Sequence, residues 1–124
     1  MKHSLLILTL TASLVASAQE AGLNGKWQAR WTGESGTVLV ADVEINGSSG
    51  TWRTLRVRSG KNNCVGMEHP LQVTRTDTGE IHLKALGSQA LSGCPDFSIR
   101  LVRRVDERTY EGTRGSLPLT LTKR

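Results

Sequence analysis

The sequence predicts an all-β domain: about eight antiparallel strands in a small up-and-down barrel, closed by one disulfide. Three observations predict it. Apolar and polar residues alternate with a period of two along almost the whole chain after Asn24. Clusters of Asn, Gly, Ser and Asp interrupt that alternation at short intervals. Two cysteines, Cys64 and Cys94, lie in the two longest interruptions. Regularly spaced short strands with turn signals between them read as a barrel or a two-sheet sandwich. Consecutive hairpins favour the barrel, which also leaves no unpaired sheet edge.

The elements follow in order. In Gly25 to Trp31, Trp27, Ala29 and Trp31 share one face, opposite Lys26, Gln28 and Arg30. In Thr37 to Ile45, Leu39, Ala41, Val43 and Ile45 share a face, opposite Asp42 and Glu44. Asn46 to Gly50 (NGSSG) reverses the chain into Thr51 to Arg58, whose Leu55 and Val57 are taken as the inward pair. Leu71 and Val73, then Ile81, Leu83 and Ala85, alternate on either side of the turn Asp77-Thr78-Gly79. Phe97, Ile99 and Leu101 form the next inward row, and a turn at Asp106-Glu107-Arg108 leads to a short strand around Thr109 to Thr113. Leu117, Leu119 and Leu121 complete the series. Pro118 lacks a ladder donor, so the last strand should be an edge, or should place that residue where no hydrogen bond is needed.

The beginning of the chain reads differently. Met1-Lys2-His3 precedes an apolar run from Ser4 to Val15, and Ala16-Ser17-Ala18 fits the small-x-small cleavage rule. Residues 1–18 are therefore expected to be a signal peptide, too short to span a bilayer, and residues 19–124 a single domain outside the cytoplasm, periplasmic or secreted. Lys2 is the only charged residue of that leader; 15 basic and 11 acidic residues remain, a mild excess of positive charge. Eleven of the 15 are arginine, whose planar fork suits carboxylate, phosphate or sulfate. In an exported chain two cysteines imply one bridge, Cys64–Cys94. It would tie together the connections Ser59 to Pro70 and Gly87 to Asp96, the kind of long loops on a β scaffold where function concentrates.

Signals for catalysis are absent: no Gly-x-Ser-x-Gly elbow and no His-Glu-x-x-His occurs. His69, in a long connection, is the residue on which a small hydrolase would centre. Met67 and His69 are ligand types that suit copper, but two ligands make no site. Gly33 and Gly36 flank a polar turn and form no phosphate cradle. No cofactor is implied. The positive signal is a basic aromatic face: with Leu55 and Val57 inward, Trp52, Arg56 and Arg58 point outward, and Arg100 and Arg104 occupy a similar outward face on a later strand. A tryptophan beside arginines can stack on a ring and bind an anion at once. The expected function is a non-enzymatic binding or inhibitor module for an anionic ligand or a protein partner, with nucleic acid the least favoured of the anions.

Gly25-Lys26-Trp27, opening the first of about eight meandering strands, resembles the Gly-x-Trp of the calycin group, the lipocalins and avidin-like proteins; Gly50-Thr51-Trp52 is avidin-like in position. The resemblance implies that Trp27 is a floor residue at one barrel end, and it makes a small-ligand carrier the alternative function. The later-strand tryptophans of biotin binders have no counterpart after Trp52, so biotin binding is not implied. Small periplasmic lysozyme inhibitors are similar in size, export and fold class.

Overall fold

Side chains at every second position are buried from one end of the molecule to the other, and the strands that carry them close on themselves. The computed structural model describes residues 23–55 and 62–124. The expected signal peptide, and Arg56, Val57 and Arg58, lie outside the described residues. The strands are β1 (Gly25–Thr32), β2 (Val38–Asn46), β3 (Ser49–Thr54), β4 (His69–Arg75), β5 (Ile81–Ala85), β6 (Phe97–Asp106), β7 (Thr109–Arg114) and β8 (Leu117–Lys123), with one helical turn, α1 (Gly87–Ala90), between β5 and β6. Each strand pairs antiparallel with its neighbour in the chain, and β8 returns to β1, so the sheet is a closed up-and-down barrel. No described helix is long and apolar enough to cross a membrane.

The inward rows are those of the alternation. Trp27, Ala29 and Trp31 of β1, Ala41, Val43 and Ile45 of β2, Leu71 and Val73 of β4, Ile81, Leu83 and Ala85 of β5, Ile99 and Leu101 of β6, and Leu119 and Leu121 of β8 are all buried in one continuous apolar cluster. Leu39, Phe97 and Leu117 pack against its margin. A filled, two-residue-periodic interior is what a barrel of this size needs to remove its apolar faces from water.

Two expectations are corrected. The first is the face of Trp52. Asn46 opposes Ser49, so the β2–β3 hairpin turns on two residues, Gly47 and Ser48, with Gly47 at φ 66°. A glycine with positive φ at the first central position is what a type II′ hairpin requires. That turn sets the register: Trp52 opposes Val43 and Thr54 opposes Ala41. Directly opposed residues share a face, so Trp52 points inward and is fully buried. Leu55 is half-buried beyond the end of β3. The second correction concerns Arg104. Register shifts interrupt the β6–β7 pairing between Leu101 and Arg103. The extra residue reverses parity, so Arg100 opposes Thr113 whereas Arg104 opposes the buried Tyr110, with its guanidinium carbon 5.6 Å from that ring's centre. The two arginines do not form one outward row. Of the two expectations for Pro118 the second holds, because β8 is no edge. It pairs with β7 and β1, but its ladder to β1 begins at Leu119, leaving Pro118 exposed and beyond it.

The barrel has two distinct ends. At one, Gly25 and Lys123 meet, together with the turns after β2, β4 and β6. Here Trp27 is fully buried, donates from Nε1 to the Leu23 carbonyl oxygen at 2.8 Å, and meets Tyr110 edge-on. Lys123 lies over its ring. The floor position implied for Trp27 is the one it occupies. The other end carries the connections after β1, β3, β5 and β7, and the disulfide.

Candidate functional site

At the disulfide end the interior stops being wholly apolar. Cys64 and Cys94 are bonded, with Cα atoms 5.7 Å apart, tying the connection before β4 to the connection before β6. Such a bridge fits a chain that folds in an oxidising compartment. Asp96 fastens the second connection from inside: its Oδ1 accepts from the Ser88 backbone N–H at 3.0 Å and the Ser88 hydroxyl at 2.8 Å. Those two donors hold its carboxyl below the ordinary range.

His69 is the first residue of β4 and faces inward, only 4% exposed. Its Nε2 lies 3.1 Å from the Cys64 carbonyl oxygen. A carbonyl only accepts, so Nε2 carries the proton and donates. Nδ1 is buried without a partner. A Cβ on Gly87 would sit 2.2 Å from the Pro95 carbonyl oxygen and 3.3 Å from the His69 ring, so only glycine lets α1 close over the histidine. Among the described residues, no carboxylate bonds this ring. What the geometry shows for His69 is a link between the Cys64 connection and the core.

Aromatic rings surround it. Phe97 stands 6.2 Å from His69 and 5.4 Å from Trp52, and Trp52 stands 5.6 Å from Trp31. Into this group comes a charge that the sequence reading missed. On β7, Tyr110, Gly112 and Arg114 alternate on the inward side, with Arg114 opposite Ile99 of β6 and Leu117 of β8. Its guanidinium carbon lies 4.3 Å from the centre of the Phe97 ring and 5.2 Å from that of Trp31, over both rings. Burial lowers its pKa, but a guanidinium stays charged in proteins. Cation–π contact offsets part of the cost of removing it from water. Its Nε is buried with no hydrogen-bond partner, and among the described residues no carboxylate pairs with it. The arginine opens on a cleft of about 390 Å³ lined by Glu34, Phe97, Ser98, Ser116 and Leu117.

The residues selected from sequence are spread elsewhere. Trp52 is inside the barrel, where its Nε1 donates to Thr54 Oγ1 at 2.9 Å. Arg56 and Arg58 fall outside the described residues. Arg104 donates to the carbonyl oxygens of Asp106 and Glu107 at the end opposite the disulfide. Arg100, exposed on the outer wall, donates to Glu80 Oε1 at 2.7 Å, and Glu80 Oε2 lies 3.1 Å from His82 Nε2. The Arg100 hydrogen bond, with help from His82, holds the Glu80 carboxyl below its ordinary 4.5. The folded carboxyl thus ionises more readily than the unfolded one. Its stabilising contribution is complete above about 4.5 and is lost as pH falls through the lower folded value. A carboxyl NMR titration should place the Glu80 midpoint below 4.5, and Arg100→Gln should return it towards 4.5; a midpoint indifferent to that substitution would refute the pairing in solution.

No family model, curated protein or solved structure matches this chain.

Proposed function

We propose that the chain is an exported, non-enzymatic binding module of the kind that carriers and inhibitors represent, and that it recognises an anionic ligand or an acidic group of a partner at the disulfide end of the barrel. The observation that carries this reading is Arg114, an inward cation over two aromatic rings, facing a cleft that Glu34 also lines, with an unpartnered Nε and no ion pair to any described carboxylate. A half-buried charge that makes no ion pair carries part of the cost of leaving water, and an incoming anion would offset that cost. The leader pattern in residues 1–18 and the Cys64–Cys94 bridge support export to an oxidising space. Arg100 and Arg104, on other parts of the surface, would contribute long-range attraction to the same anion, together with Arg56 and Arg58 in the sequence between β3 and Cys64.

The test is calorimetric titration of the oxidised protein with acetate, sulfate and phosphate at low and high ionic strength. Binding should weaken with salt and vanish in Arg114→Met. The same substitution should leave thermal stability unchanged or raise it, because an apolar side chain of similar length replaces an uncompensated charge. Binding that survives in Arg114→Met would refute this site.

The packing argues against a calycin-type carrier: alternating side chains fill the barrel from the Trp27 end to Trp31 and Trp52, so a ligand is left the cleft at Arg114 and not the interior.

A further inference from the structure

The three tryptophans of the barrel differ in one respect. Trp27 Nε1 donates to the Leu23 carbonyl oxygen and Trp52 Nε1 donates to Thr54 Oγ1. Trp31 Nε1 is buried and has no partner, in a residue only 3% exposed. An indole N–H can only donate, and leaving such a donor buried and unpaired is unfavourable. This one belongs to the ring over which the Arg114 guanidinium lies at 5.2 Å. Two unpaired donors, Arg114 Nε–H and Trp31 Nε1–H, thus lie on touching side chains, with Arg114 in the lining of the cleft and Trp31 packed behind it.

The surroundings restrict what can satisfy them. Phe97 and Trp31 present ring faces to the guanidinium, so a ligand is left the polar edge of the fork, which matches the two coplanar oxygens of a carboxylate. Oxygens of a tetrahedral anion that stand out of that plane would meet the rings. Glu34 lines the same cleft, and its negative charge opposes a dianion more than a monoanion. Phe97 and Leu117, also in the lining, offer apolar surface to whatever adjoins the charged group.

We infer that Arg114 and Trp31 together form a carboxylate site, and that its ligand is a monocarboxylate joined to an aromatic or apolar body. This rests on the anion-binding reading above. The carboxylate can belong to a free acid or to the end of a peptide chain, and the chemistry at the site is the same.

The test titrates the oxidised protein by calorimetry with benzoate, neutral benzamide, inorganic phosphate, and a short peptide ending in phenylalanine, either as the free carboxylate or as the amide. Trp31→Phe keeps an aromatic ring beside Arg114 and removes the donor together with the rest of the indole. Benzoate or the free peptide should bind, benzamide and the amidated peptide should not, and the Trp31 indole N–H resonance should shift on binding. The tighter of the two carboxylates identifies the source. Trp31→Phe should weaken binding about tenfold, and Arg114→Met should abolish it. Phosphate binding as tightly as benzoate, but still lost in Arg114→Met, would overturn the carboxylate assignment and leave the anion site standing. Carboxylate binding unchanged in Trp31→Phe would remove Trp31 from the site. No probe responding to Arg114→Met would overturn both readings.

Discussion

Replacing Cys64 and Cys94 together by serine is expected to cost the fold roughly 3–4 kcal/mol, the largest loss available from one covalent link. The bridge joins positions 30 apart in the sequence, and a closed loop of that length restricts the unfolded chain by about this amount. Domains of this size have only about 5–15 kcal/mol in total. Among the described residues, the two connections that it joins contain one helical turn of four residues and no strand, so little else there would replace it. Urea unfolding of the variant beside the oxidised parent measures the difference; a loss under about 1 kcal/mol would mean that the connections hold together through Asp96, Ser88 and His69 alone. The site should suffer with the fold, because the Cys64 carbonyl that fixes the His69 ring sits on the released segment.

Trp52→Ala should cost about as much, 3–5 kcal/mol by the measure of other buried aromatic truncations. Its indole is fully buried, meets Trp31 and Phe97, and donates to Thr54. A tryptophan on the outer wall would cost within about 0.5 kcal/mol when truncated, so equilibrium unfolding separates the two placements without ambiguity. Trp52→Phe should fall between, since it keeps a ring among rings and gives up the bond to Thr54. The effect on ligand binding should be indirect, through Trp31 and Phe97, which Trp52 supports from below.

Trp52 also shows where the sequence could be read and where it could not. The period-two rows gave the inward face correctly for β1, β2, β4, β5, β6 and β8, because each row contains two or more aliphatic or aromatic residues in phase. The strand after NGSSG offers two rival phases, Leu55 and Val57 or Gly50 and Trp52. The aliphatic pair is more apolar, but the hairpin decides: a two-residue Gly-Ser turn puts Trp52 opposite Val43 whatever its neighbours prefer. Counting back from that turn was the available signal. Arg114 was hidden for a related reason. Its strand has a single large apolar residue, Tyr110, and taking Tyr110 as inward puts Gly112 and Arg114 inside as well. Nothing local marks the bulge that reverses Arg104, because it arises where two strands of unequal length must stay paired.

The closed circuit of strands has a practical corollary. Arg124 N–H donates to the Lys26 carbonyl oxygen, so Arg124 and the start of β1 lie side by side, at the end of the barrel away from Arg114. A barrel strand of seven residues is roughly 20 Å long. Anything fused after Arg124, whether an affinity tag, a fluorophore or a tether to a sensor chip, is carried about that distance from the cleft. A chip-bound copy would therefore present its arginine to the solution. The same adjacency would let a short linker join Arg124 to the start of β1, and the chain could then be opened in a turn after β2, β4 or β6, away from both the bridge and the cleft.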